Sequence, residues 1–135
     1  MVIVLDTNIW IKGIQQAHSP SYTLLNHLTR FNLVFPEQVR SELVRNFTPS
    51  DMRLVYRLVH FAGGIEDFRP PPRELCERYY KKGLRKGDMI IAAFCEWQHV
   101  DVIVSTNRDY LRGISGETPF QVLDPGRFCL DTGLL

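Results

Sequence analysis

The chain carries almost no charge imbalance. Over 135 residues, 16 Lys and Arg oppose 15 Asp and Glu, a formal net charge of +1. The global basic field that marks many nucleic-acid binders is therefore missing, and any such binding must use a local patch. Cysteine is scarce and odd in number. Cys76, Cys95 and Cys129 lie far apart, with no pair at metal-ligand or redox spacing. That usage predicts a reduced, intracellular protein with buried thiols. No run approaches the roughly 20 apolar residues of a membrane span. The first residues lack the charged n-region and long apolar stretch of a signal peptide, because Asp6 interrupts them. These points predict a cytoplasmic location and no membrane partner. The four histidines, His18, His27, His60 and His99, are scattered and lack ligand spacing. There is no nucleophile elbow of the G-x-S-x-G kind and no phosphate-cradling G-x-x-x-x-G-K loop.

What is present is ample apolar content, 44 %, enough for one core. No linker, internal repeat or low-complexity stretch divides the chain, so residues 1–135 are expected to form a single domain. Residues 1–6 read as a buried central strand, aliphatic and without alternation. Thr7 or Asn8 suits the cap of a following helix. Helical spacing of Leu24, Leu25 and Leu28 predicts a helix over 22–31. Leu33 to Phe35 reads as a second strand, and Pro36 opens a helix through Val39, Leu43 and Phe47. Pro49-Ser50-Asp51 starts another helix, which Gly63-Gly64 ends. Residues 65–68 suit a short edge strand, and residues 74–80 a helix after the Pro70-Pro71-Pro72 break. Gly87-Asp88 opens the most apolar helix, expected to be central. Residues 100–104 and 120–123 read as strands, the last ended by Asp124-Pro125-Gly126. Strands alternating with helices predict a parallel α/β sheet covered on both faces.

In such a sheet the carboxyl ends of the strands form the crevice where ligands bind. Four acids fall where segments converge there: Asp6, Glu42, Asp88 and Asp109. A carboxylate at the end of a buried strand has no packing reason to be there. Several in one crevice repel one another and are tolerable when a divalent cation neutralises them. Metal-dependent chemistry on a phosphate ester follows as the first expectation. Asp88 is also a favoured residue type for a plain helix cap, and both roles can hold together. Glu42 lies about 60° from Val39 on a helical wheel, at the border of the apolar stripe, where a solvated face residue is the ordinary occupant.

The ordered set Val4-Leu5-Asp6-Thr7-Asn8, Pro36 to Leu43, Gly87 to Ala93, Val102 to Tyr110 and Val122-Leu123-Asp124-Pro125 resembles the PIN-domain family of metal-dependent ribonucleases. The likeness is greatest to the small single-domain members that act as toxins in toxin–antitoxin pairs. It spans nearly the whole chain. The resemblance implies a flavodoxin-like, three-layer α/β/α sandwich with a parallel sheet ordered 3-2-1-4-5. It also implies an RNA substrate, a protein antitoxin as partner, and a homodimer.

The resemblance makes Asp6, Asp88 and Glu42 the catalytic, metal-binding acids. A fourth acid is expected two residues after a strand-terminal Ser or Thr. Counted from Ser105 that position is Asn107; counted from Thr106 it is Arg108. The fourth acid is then displaced to Asp109, supplied through water, or absent, and Asp109 otherwise serves as a helix cap before Tyr110. Asn8 and the hydroxyl of Ser105 or Thr106 would orient the carboxylates or a metal-bound water. An all-carboxylate set suits Mg²⁺ or Mn²⁺. Hydrolysis by an activated water would leave 5′-phosphate and 3′-hydroxyl ends. The basic segment Lys81, Lys82, Arg85 and Lys86, with Arg108, would hold RNA phosphates beside the site, unless it is only a solvated loop.

Other classes fit less well. A haloacid-dehalogenase-type phosphatase needs a second Asp where Asn8 stands. A response-regulator receiver needs paired acids at the first strand and a late lysine. A PIN-like binding module without catalysis is the main alternative. The helix from Met52 to Phe61, with Val55, Leu58 and Val59, offers either a docking surface for an antitoxin or a second copy, or a plain core face.

Overall fold

A computed structural model describes residues 1–107, 110, 114 and 118–135. Five strands form one parallel sheet: β1 (Val2–Leu5), β2 (Asn32–Pro36), β3 (Ile65–Asp67), β4 (Val102–Val104) and β5 (Gln121–Leu123). Their order is β3-β2-β1-β4-β5, the order that the family resemblance implies. β1 is central because all four of its residues are aliphatic, and Ile3, Val4 and Leu5 are fully buried. A strand covered on both faces has no need to alternate. Its register runs Ile3 against Leu33 on one side, and Ile3, Val4 and Leu5 against Val102, Ile103 and Val104 on the other.

Seven α-helices fall among the described residues: α1 (Thr7–Gln15), α2 (Pro20–Leu25), α3 (Glu37–Asn46), α4 (Pro49–Phe61), α5 (Arg73–Lys81), α6 (Lys86–Trp97) and α7 (Pro125–Asp131). The connections from β1 step first toward β2 and β3, then back across to β4 and β5. Right-handed crossovers therefore place helices on both faces, and the layers are α/β/α. α6 carries the uninterrupted buried run Ile91-Ala92-Ala93-Phe94-Cys95, as its near all-round apolarity predicts. No described helix is long and apolar enough to cross a membrane.

Several expectations are corrected. The helix expected over 22–31 is α2, which begins earlier and ends at Leu25, followed by a separate 3-10 turn over Leu28–Arg30. Ser19 accepts a hydrogen bond from the Tyr22 N–H and Pro20 fills the first position, so the start is set by the cap. Asp124-Pro125 ends β5, as expected, and also starts α7, a helix not among those expected, with Asp124 accepting from the Arg127 N–H. Of the two readings of the α4 face, the plain core face describes Met52, Val55 and Val59, which are buried, and Leu58 packs against the core beside them. Of the three thiols, Cys95 and Cys129 are buried, whereas Cys76 is only half-buried.

Candidate active site

The sheet order reverses at β1, so the gap between the carboxyl ends of β1 and β4 is the expected crevice. Asp6 ends β1 and sits there, only 4 % exposed. It, rather than Thr7 or Asn8, caps α1: its Oδ1 accepts from the Thr7 N–H at 2.8 Å. The Ser105 hydroxyl, at the end of β4, donates to its Oδ2 at 2.7 Å. Both oxygens are thus held by neutral donors.

Glu42 reaches the site from α3. Thr7 Oγ1 donates to its Oε1 at 2.6 Å, and Gln38 Nε2 donates to its Oε2 at 2.8 Å. Gln38 lies one turn before it, so the pair meets on one helix face. The half-buried position of Glu42 agrees with its place at the border of the apolar stripe. Gly87, at the second position of α6, lies against the Glu42 carboxylate so closely that a β-carbon there would overlap Oε2.

Asp88 is not an N-cap, as its residue type had suggested. Arg85 holds that position, and Asp88 lies in the first turn, where the helix dipole still favours its charge. Asn107 Nδ2 donates to Asp88 Oδ2 at 2.9 Å, while the Asn107 N–H donates to Ser105 Oγ at 3.0 Å. Ser105, not Thr106, is therefore the strand-terminal hydroxyl of the site. The buried Tyr110 hydroxyl donates to the Asp88 carbonyl.

These acids act on one another. Burial pushes the Asp6 carboxyl up from 3.8 to about 6, and the Asp88 and Glu42 charges add to that rise against the hydrogen bonds from Ser105 and Thr7. Burial likewise raises the Tyr110 phenol, helped by the charges of Asp6, Asp88 and Glu42. The structure thus brings together three of the four predicted acids, with Ser105 and Asn107. Asn8 is exposed in the first turn of α1, and Thr106 is half-buried beside the site; among the described residues neither bonds to a carboxylate. Asp109 and Arg108 lie outside the described residues.

Sequence reasoning did not assign roles in the site to Gln38, Gly87 and Tyr110, and it treated Thr7 only as a cap. The four-residue spacing from Gln38 to Glu42 was the available signal. The contact of Gly87 belongs to the packing of α6 on α3, which no local pattern records.

The donor set is all oxygen and carries a repulsive excess of negative charge at Asp6, which fits a hard divalent cation in kind. Among the described residues, no three His, Cys, Asp or Glu side chains close around one point as a finished ligand set. The basic segment runs from the end of α5 into α6. Lys81, Arg85 and Lys86 are exposed and Lys82 is half-buried. Arg85 stacks on the Tyr80 ring, 4.4 Å from its centroid.

Residues 3–115 match the sequence profile of the PIN domain. The chain belongs to the PIN-domain family. PIN domains are in general nucleases, typically served by divalent metals. No curated protein matches the chain significantly. Similar solved structures include VapBC2 from Rickettsia felis bound to a DNA fragment from its promoter. There identity is 17 %, TM-score 0.63, and the match covers 92 % of this chain and 98 % of that one. FitAcB from Neisseria gonorrhoeae matches at 15 % identity and TM-score 0.64, over 92 % and 98 %. VapBC-1 from nontypeable Haemophilus influenzae matches at 18 % and 0.64, over 93 % and 99 %. At these identities the likeness concerns the fold.

Proposed function

We propose that this PIN domain is a Mg²⁺- or Mn²⁺-dependent ribonuclease that hydrolyses RNA phosphodiester bonds at Asp6, Glu42 and Asp88. Asp109 completes the carboxylate set. The observation that carries this reading is the meeting of three acids at the sheet's switch point, where burial raises Asp6 to about 6 and the charges of Asp88 and Glu42 add to the rise. A folded protein tolerates that cost when the charges serve a cation.

Asp6, Glu42 and Asp88 would hold the metal. Bound there, a divalent cation supplies a water that ionises near neutral pH and neutralises charge on the phosphate. The protein's own work is positioning. Thr7 and Gln38 fix both oxygens of Glu42. Ser105 aims Asp6, and Asn107 ties Asp88 to the end of β4. Such ties to ligating groups set orientation and affinity. Lys81, Lys82, Arg85 and Lys86, with Arg108, hold phosphates on either side of the scissile bond. In hydrolysis the water oxygen bonds to phosphorus, the bond to the 3′ oxygen breaks, and that oxygen takes up a proton. The products carry 5′-phosphate and 3′-hydroxyl ends.

The VapBC structures support a further part of the proposal: the chain is the toxin of a toxin–antitoxin pair, with a protein antitoxin as partner. A homodimer as its own assembly is proposed on the family resemblance alone. Asn107, an amide beside Asp88 where many relatives carry an acid, favours a second reading, a PIN-like RNA-binding module with little or no catalysis.

The test is incubation with labelled structured RNA in Mg²⁺, Mn²⁺ or EDTA, followed by end-group analysis. Metal-dependent cleavage with 5′-phosphate ends is expected. Cyclic phosphate ends would overturn the hydrolytic route, and metal and RNA binding without cleavage would select the module.

A further inference from the structure

Beside the crevice lies an apolar recess that hydrolysis does not use. A cavity of about 180 Å³ lies between the end of β2, the loop after β3 and the outer side of α6. Its lining includes Phe68, Pro70, Ile90 and Phe94, with Gln38 and Arg69 at its polar edge. It is much smaller than the roughly 300 to 1,000 Å³ of a drug-sized ligand site, and suits one ring system.

Its position ties it to the carboxylates. Gln38 lines the recess and also donates to Glu42 Oε2. An occupant therefore lies one side chain away from the candidate catalytic acid. Its aromatic wall is built to stay open. Phe68 is 40 % exposed although wholly apolar. It is braced edge-on by Phe35, with centroids 6.4 Å apart, and carries the Arg40 guanidinium 5.3 Å from its centroid. The guanidinium planes themselves are fixed: Arg40 by a two-pronged bond to Glu37, and Arg69 by one to Asp67. A small recess with an aromatic wall at Phe68 and polar side chains, Gln38 and Arg69, among its lining matches a nucleobase, which needs a stacking face and polar edges.

We propose that the recess receives one base of the RNA strand, splayed out from a nucleotide next to the phosphate held at the carboxylates. This rests on the ribonuclease reading above. Duplex RNA buries its base faces, so the substrate at this point is single-stranded. Phe68 is then a substrate-binding residue that sets the position at which a base is required, and Gln38 links base recognition to the placement of Glu42.

The test uses single-stranded oligoribonucleotides, each with one abasic residue, stepped across the cut site. For the wild type, one position is expected at which loss of the base lowers kcat/KM about tenfold or more, the scale of base-on-aromatic stacking. In Phe68→Ala the same abasic substitution should cost nothing, and Phe68→Tyr should restore the requirement. Phe68→Ala with the wild-type abasic profile overturns the recess. So does uniform tolerance of abasic residues, and either result leaves the nuclease standing. If nothing is cleaved, fluorescence anisotropy with the same oligonucleotides decides: base-dependent binding abolished in Phe68→Ala keeps the recess without the nuclease, and no binding overturns both.

Discussion

Gly87 presses its bare α-carbon against the carboxylate of Glu42, where the start of α6 meets the middle of α3. Its φ is not positive, so alanine fits the backbone there. The atoms nearest the added methyl are the movable ends of Glu42 and Gln38. Gly87→Ala should therefore leave the fold intact, or raise its stability by up to about 1 kcal/mol through helix propensity. RNA cleavage should fall by tenfold or more because Glu42 is displaced. A thermal melt and a rate on one sample check both parts; full activity in a folded variant would show that Glu42 need not stand where it does.

Asp6 should cost the metal-free protein stability. Its carboxyl titrates near 6 when folded, against an ordinary 3.8. Between those values the folded state keeps a proton that the unfolded chain has lost. Stability from this group is thus present near pH 4 and is lost as the pH rises through 6. Asp6→Asn cannot ionise. At pH 7.5 in EDTA it should be more stable than wild type by on the order of 1–3 kcal/mol, with the gap closing toward pH 4. Added Mg²⁺ should raise the wild-type Tm and leave the variant's unchanged. A gap that widens on acidification would contradict the burial of a strained carboxylate.

The donors that aim the acids should matter through the metal rather than the fold. Thr7→Val removes the hydroxyl held by Glu42, and Ser105→Ala the one held by Asp6. Each is expected to weaken Mn²⁺ binding by about 10- to 100-fold, the usual effect of losing a partner of a ligating group. Calorimetric titration measures this directly. Unchanged affinity in both would mean that these hydroxyls serve packing alone.

The basic segment should act through salt. Replacing Lys81, Lys82, Arg85 and Lys86 with Ala is expected to weaken RNA binding and flatten its dependence on ionic strength, by up to about 0.7 in log–log slope for each lost phosphate contact to a single strand. An identical slope would remove the segment from the RNA path.

The fold was legible because its strongest signals are local and agree. The unalternating run Val2 to Leu5, the apolar α6 and the alternation of strands with helices all point to a covered parallel sheet, and the order of the motifs carried the strand order. Boundaries failed where a short polar–proline pair was passed over or misread. Ser19-Pro20 and Asp124-Pro125 are cap-then-proline starts, the second directly after the strand it ends, because the oxygen of the first residue accepts an N–H that the helix leaves free. Of the candidate site, the convergence of Asp6 and Asp88 was legible from the ends of elements, and that of Glu42 only from the family resemblance. Thr7 and Gln38 as clamps on Glu42, and Gly87 as its bed, were not, since they depend on how α1, α3 and α6 pack in space. The choice between Ser105 and Thr106 likewise needed the hydrogen bond to Asp6.

The central claim is that Asp6 and Asp88 are the centre of a metal-dependent ribonuclease. It is tested most directly by the cleavage rate of one labelled RNA with wild type and with Asp6→Asn/Asp88→Asn, both shown to be folded, in Mg²⁺ and Mn²⁺. Cleavage by the wild type that EDTA abolishes, and that falls to background in the double variant, is the predicted result. Cleavage that survives in the folded double variant would contradict it.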